Sequence, residues 1–202
     1  MLGTDGTQKF LEPITWVEKV KNRIGFWYWI NRKIVLHASQ GNSFIVAYRA
    51  KNDSLSSPQS LYEYLVEYTF GFLGFLGVAL SSGIGRRRSS EFKAANEAAE
   101  KQCLGERKNE MLYVHLLATS PKVQGQGYGG RLLDAIGDLA DSQGRATWLI
   151  SAGPHNVPFY ERHGYKTIKD IIVGESDIDW KGGQIILPLM VREPRYVAVS
   201  GD

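Results

Sequence analysis

Apolar residues return every three or four positions from Gln8 to Ile30 (Phe10, Ile14, Val17, Val20, Ile24, Trp27). That is the spacing of one helical face, with Pro13 near the helix start. The runs 33–38 and 43–48 are rich in β-branched residues and are joined by Ser39-Gln40-Gly41-Asn42, which predicts an antiparallel hairpin. Residues 51–60 read as a polar loop. Residues 61–83 are apolar and interrupted by glycines, with Glu63 and Glu67 charging the start. Their uninterrupted apolar core falls short of the roughly 18–20 residues needed to cross a bilayer. A buried helix or pocket lining is expected there, and no stable membrane insertion. Residues 86–104, rich in Ala, Glu and Lys, predict a helix with a polar outer face.

Beyond residue 110 the pattern sharpens. Met111–Thr119 reads as a strand closed by Ser120-Pro121, and Arg131–Ser142 as a helix with Leu132, Leu133, Ile136 and Leu139 on one face. Gly144 is placed to cap that helix. Thr147–Ser151 predicts a buried strand, and Asn156–His163 a short helix stopped by Gly164. Two more strands follow at Tyr165–Val173 and Gln184–Val191. Strands alternating with helices, beside a hairpin, predict an α/β fold with a twisted sheet of mixed direction.

Composition narrows this only slightly. A chain of 202 residues, 43% hydrophobic, suits one domain with a substantial core and shows no linker between plausible halves. One cysteine, Cys103, excludes an intrachain disulfide and a cysteine-based zinc site; no metal is expected, and the cytoplasm is the natural setting. A net charge of +3 suits a polyphosphate ligand without requiring one. The only basic run, Arg86-Arg87-Arg88, reads as solvated helix or loop, so nucleic acid is not an expected partner.

The segment with most chemistry is Gln124-Gly-Gln-Gly-Tyr-Gly-Gly130, between a strand and a helix. Glycines there let backbone N–H groups turn toward phosphate oxygens, and the helix N-terminus adds a positive dipole. A nucleoside-triphosphate loop requires Lys-Ser/Thr next, where Arg131-Leu132 stands. Gly125, Gly127 and Gly130 satisfy the dinucleotide spacing, but the following strand ends Leu149-Ile150-Ser151-Ala152-Gly153 without the carboxylate that binds ribose. A third spacing, Q/R-x-x-G-x-G/A, is met by Gln124, Gly127 and Gly129. A plain tight turn is the remaining reading.

The third spacing resembles the pyrophosphate loop of the GNAT acyltransferase superfamily. Its surroundings resemble that family in order and spacing: Leu117-Ala-Thr-Ser-Pro121, Gly129-Gly-Arg-Leu-Leu133 and Asn156-Val-Pro-Phe-Tyr-Glu-Arg-His-Gly-Tyr165. The ending Pro188-Leu-Met-Val-Arg-Glu-Pro194 resembles a subgroup that includes puromycin N-acetyltransferase and many fungal and actinobacterial proteins. The resemblance spans residues 111–194, so one domain over 1–202 is expected. Residues 1–110 would supply acceptor-side helices and the hairpin, and 111–194 the acetyl-CoA core. GNAT folds usually open with a strand and a helix for which the pattern before Phe10 leaves no room, so either that strand is absent or the sequence begins inside the domain.

The resemblance implies acetyl-CoA as co-substrate and attack of an amine on the thioester in a ternary complex. The acceptor would be the primary amine of a small molecule. A protein or peptide acceptor, or non-catalytic acyl-CoA binding, stands as an alternative. Backbone amides of Gly125, Gln126, Gly127, Tyr128, Gly129 and Gly130 would hold the pyrophosphate. Gln124 and Arg131 would flank it, and the strand through Leu117 to Thr119 would pair with the pantetheine arm. Tyr160 matches a tyrosine proposed as general acid toward the thiolate. Asn156 is open between a pantetheine hydrogen bond and a helix cap. His115 shares strand parity with Tyr113, Leu117 and Thr119, so it is placed to face the cleft as general base or to be a core histidine. Glu110 is the next candidate base, and His155 and His163 read as surface or cap residues. A homodimer is compatible with the sequence.

Overall fold

The computed structural model describes residues 33–53, 68, 83–174 and 184–195, with the side chains of 83–89 excluded. The expected helix over 8–30, the place of the opening strand and the apolar segment 61–83 therefore lie outside the described residues, apart from Tyr68 and the first residue of the helix at 83.

In chain order the elements are β1 (Ile34–Ala38), β2 (Ser43–Tyr48), α1 (Gly83–Cys103), β3 (Leu112–Thr119), α2 (Tyr128–Ser142), β4 (Thr147–Ile150), α3 (Val157–Arg162), β5 (Lys166–Val173) and β6 (Ile185–Arg192). The strands form one sheet in the order β1-β2-β3-β4-β6-β5, in which only β3 and β4 run parallel. The β3–α2–β4 crossover supplies that parallel pair, and the other described pairings are antiparallel. The fold is the mixed α/β sheet that the pattern predicted. Among the described residues no helix is long and apolar enough to cross a membrane.

Alternation along the strands builds a core on each face of the sheet. Leu112, Val114, Leu149 and Met190 pack with Leu132, Leu133, Ile136 and Ala140 of α2. The intervening Met111, Trp148, Leu189 and Val191 pack with Ala99 of α1 and with Ile171 and Val173 of β5, and Tyr113 adds its ring to that side. At about 25 cal/mol per Å² of apolar surface, burial on two faces is the main force that fixes the register.

Two glycines stop helices as their positions predict. Past α2, Gly144 is left-handed (φ 61°); its N–H donates to the Asp141 carbonyl and that of Arg145 to Ala140. Past α3, Gly164 (φ 86°) and Tyr165 bond Glu161 and Tyr160 in the same way. Both are Schellman caps, which satisfy carbonyls that the helix leaves unpaired.

The predicted start of α2 differs. The helix begins at Tyr128, not Arg131. The turning point is Gly127, left-handed at φ 76°. Gly129 and Gly130 already lie inside the helix, where absent side chains allow close packing. A Cβ at Gly129 would stand 3.3 Å from Thr119 Oγ1, and one at Gly130 would stand 2.9 Å from the His163 ring.

Candidate active site

The strand β3 runs out of partners on one side. Its pairing with β4 covers only Leu112↔Thr147 and Tyr113↔Trp148. After β4, Ser151 donates its N–H to Pro188 of β6, so the chain follows β6 and leaves β3. A wedge therefore opens beside residues 114–119, whose β4-facing edge has no strand partner among the described residues. Unpaired backbone N–H and C=O groups on an edge are a ready template for another extended, hydrogen-bonding chain.

The wedge meets a cleft of about 720 Å³ at the N-terminus of α2. One wall is the glycine loop with Gln124, Gly125, Gly127, Tyr128, Gly129, Gly130 and Arg131; Leu117 and Thr119 of β3 form the floor. Asn156, Phe159 and Tyr160 form the opposite wall. Of the expected cofactor residues, all but Gln126 line this cleft. Gln126 lies within the loop and offers its carbonyl to Arg131 Nη2 at 3.3 Å.

Side chains brace the loop. Gln124 Nε2 donates to the Thr119 carbonyl (3.0 Å), and Thr119 Oγ1 shares a hydrogen bond of 2.8 Å with buried Ser43 Oγ. Arg131 stacks over the Tyr128 ring at 4.7 Å. The N–H groups of the first turn of α2 have no acceptor inside the helix and, with the helix dipole, favour an anion. Asn156 makes no side-chain cap bond to α3, which removes the cap reading and leaves its amide on the cleft wall.

Tyr160 packs against Phe159 (5.1 Å) and Tyr165 (6.0 Å between ring centroids). Burial pushes its phenol above the ordinary tyrosine range. The group is protonated at neutral pH and available as a donor.

His115 is not where strand parity places it. The β2–β3 register shifts by one residue between Val46 and Ala47, which pair with Leu116 and Val114 and leave His115 as the extra residue of a bulge. A bulge reverses the faces of the residues on either side of it. Leu117 and Thr119 consequently face α2 and the cleft. His115 lies on the other side of the sheet, against Tyr48 (5.2 Å) and Tyr113 (5.6 Å). Burial first, and then the charge of Lys33, lowers its pKa. None of Tyr48, Tyr113 and His115 is among the residues that line the cleft.

Glu110 is exposed at the end of the turn before β3, and His155 is exposed ahead of α3. His163 is not a mere cap: its Nδ1 lies 2.6 Å from Asp134 Oδ1 and its ring lines the cleft. The two residues are 29 positions apart in the chain, so only the packing of α3 on α2 brings them together.

Residues 79–176 match the model of an acetyltransferase (GNAT) domain. That stretch carries β3, the glycine loop, α2, β4 and α3, which are the elements that build the cleft. Over those residues the chain is similar to the GNAT acetyltransferase family. It is similar to two uncharacterized N-acetyltransferases of Schizosaccharomyces pombe. One is 30% identical over 113 residues, covering 55% of this chain and 44% of that protein. The other is 37% identical over 86 residues, covering 42% and 34%. The chain thus spans less than half the length of these curated relatives. A crystal structure of an agmatine N-acetyltransferase mutant in its apo form superposes with TM-score 0.50 at 16% identity, covering 89% of this chain and 83% of that one. It shares the GNAT fold.

Proposed function

We propose that this GNAT domain is an acetyl-CoA-dependent N-acetyltransferase acting on the primary amine of a small molecule. The observation that carries this reading is the anion-favouring cleft at the start of α2, which opens directly into the unpaired edge of β3. A pyrophosphate fits the first, and a pantetheine amide arm fits the second. When bound, the cofactor supplies an activated acetyl thioester.

The residues then divide the work. Backbone amides of 125–130 bind the pyrophosphate, with Gln124 and Arg131 supporting the loop. The β3 edge at Leu117–Thr119, with Asn156, holds the arm along the wedge. The acceptor approaches from the face of Tyr48, Tyr113 and His115. Its neutral nitrogen attacks the carbonyl carbon, the carbon–sulfur bond breaks, and the thiolate takes the Tyr160 proton. The proton shed by the new ammonium passes to His115, directly or through water. The lowered pKa of His115 keeps its imidazole neutral and able to accept.

Isothermal titration of acetyl-CoA into the wild type and the Gly127→Trp variant tests the cleft, and thiol release across a panel of small amines tests the chemistry. Binding abolished by the substitution, with amine-dependent thiol release, is the expected outcome. No binding by a folded wild type overturns the reading. Tight binding without amine-dependent release, for small amines and peptides alike, replaces it with a non-catalytic acyl-CoA-binding protein.

A further inference from the structure

A second pocket, of about 520 Å³, lies where α1 ends against the β5–β6 pair. It shares no lining residue with the cleft, and its size falls within the roughly 300–1,000 Å³ usual for small-molecule sites. Its apolar wall includes Leu104, Ile168 and Val191. Leu104 and Val191 are buried, whereas Ile168 is 42% exposed. The exposure has a local cause. The β5–β6 register shifts between Thr167 and Lys169, which pair with Met190 and Leu189, and Ile168 is the extra residue of that bulge. A bulge re-aims a side chain out of the strand's alternation. An isoleucine left partly in water is apolar surface that a ligand can cover.

The polar side of the pocket is cationic. Arg107, Lys166, Arg192 and Arg195 line it against a single carboxylate, Glu193. Two of the four are already committed. Arg107 donates to both Glu193 oxygens, and Arg192 to both Asp141 oxygens. Among the described residues, neither Lys166 nor Arg195 makes a side-chain salt bridge. Arg195 is nevertheless held in place. Its backbone N–H donates to Asp141 Oδ1 at 2.8 Å, and its Nη2 lies 3.7 Å from where a Cβ on Gly164 would stand. A planar guanidinium can grip a carboxylate with two parallel bonds, and a lysine adds a second positive charge.

We propose that this pocket is a second ligand site, for a small monocarboxylate with an apolar body. The carboxylate lies with Arg195 and Lys166, and the body covers Ile168 and Val191. Two uncommitted cations call for an anion. The apolar wall calls for a body that inorganic phosphate lacks, and Glu193 disfavours a second negative charge on the ligand. The site does not depend on the acyl-CoA reading.

Phenylbutyrate is the probe, with its neutral amide as body without charge and inorganic phosphate as charge without body. Calorimetry gives the affinities. Cys103, the only cysteine in the chain, lines this pocket, so the rate of its alkylation by iodoacetamide, followed by intact mass, reports occupancy there. Phenylbutyrate should bind at millimolar concentrations and slow the alkylation, with the amide and phosphate at least roughly tenfold weaker. Lys166→Gln and Arg195→Gln, each checked for folding by thermal unfolding, should each lose roughly tenfold in phenylbutyrate affinity while binding acetyl-CoA as the wild type does. No binding by the folded wild type, or equal affinity for the amide or phosphate, overturns the proposal. So does binding that leaves Cys103 alkylation unchanged, or that survives both substitutions together. Saturating acetyl-CoA should leave phenylbutyrate bound; displacement would put the probe in the cleft and overturn the proposal as well. Failure of the wild type to bind acetyl-CoA sinks the cleft reading and leaves this site standing.

Discussion

A phenol packed among rings gives up its proton less readily than one in water, because burial penalises the charged form. Tyr160 is in that position, which suits a donor that must be reprotonated each turnover. Tyr160→Phe keeps the ring and removes the proton. Its expected effect is a fall in kcat of roughly 100-fold with acetyl-CoA affinity unchanged, measured by thiol release and calorimetry. An equal loss in affinity would make Tyr160 a binding residue only. His115 carries the opposite sign: burial and Lys33 favour its neutral form. An acceptor of lowered pKa stays deprotonated further into acid, so the acid limb of kcat/KM should lie below the ordinary histidine range. His115→Gln should lower kcat and remove that limb. A limb that survives the substitution assigns the acceptor elsewhere.

At the scale of elements, α2 is held at both ends. Its N-terminus packs through Gly129 and Gly130. Its last turn is tied to β6 by Arg192, whose guanidinium donates to Asp141 at 2.9 and 2.5 Å and lies 3.1 Å from where a Gly137 Cβ would be. Both side chains are buried, 5% and 8% exposed. Removing one partner leaves a buried charge uncompensated, so Asp141→Asn should cost about 3 kcal/mol in denaturant unfolding. The Arg192 hydrogen bond, above all, holds the Asp141 carboxyl below its ordinary range. A depressed carboxylate pKa stabilises the fold fully above the unfolded-state value and loses that stability as pH falls through the folded-state value. The asparagine variant should therefore show a shallower loss of stability in acid. An unchanged acid profile would mean the pair contributes nothing net. Because α2 carries the loop, this lock also bears on the cleft.

For the molecule as a whole, the feature that matters is a sheet joined by only two residue pairs between β3 and β4. Each half has its own partners, β1–β2–β3 and β4–β6–β5, so the wedge can stand open without unravelling either. A ligand that pairs with β3 while binding the α2 loop should slow amide exchange at two separated places together, residues 116–119 and 125–130. Saturating acetyl-CoA at 100 times its Kd should add about 2.7 kcal/mol to the stability of the native state. Hydrogen-exchange mass spectrometry checks the first and thermal unfolding the second. Protection of the loop without β3 would place the acyl arm outside the wedge.

Much of this was legible in the chain. Runs of β-branched and apolar residues mark the strands, the three-to-four spacing of Leu132, Leu133 and Ile136 marks α2, and Gly144 and Gly164 mark where helices stop, because each signal is local. The loop from Gln124 to Gly130 is equally local, since backbone donors and a helix end need only consecutive residues. Tertiary structure decided the rest. Strand parity sets His115 beside Leu117 and Thr119; one extra residue opposite Val46 and Ala47 puts it through the sheet, and a bulge is a property of two strands, not one. The glycines at 129 and 130 read as loop, yet they are helix, because what requires them is contact with Thr119 and His163 from other elements. The pairing of His163 with Asp134 has no sequence signal beyond residue type, since it arises where two helices meet. Periodicity is written along a chain, whereas facing and contact are fixed only when separate segments compete for the same space.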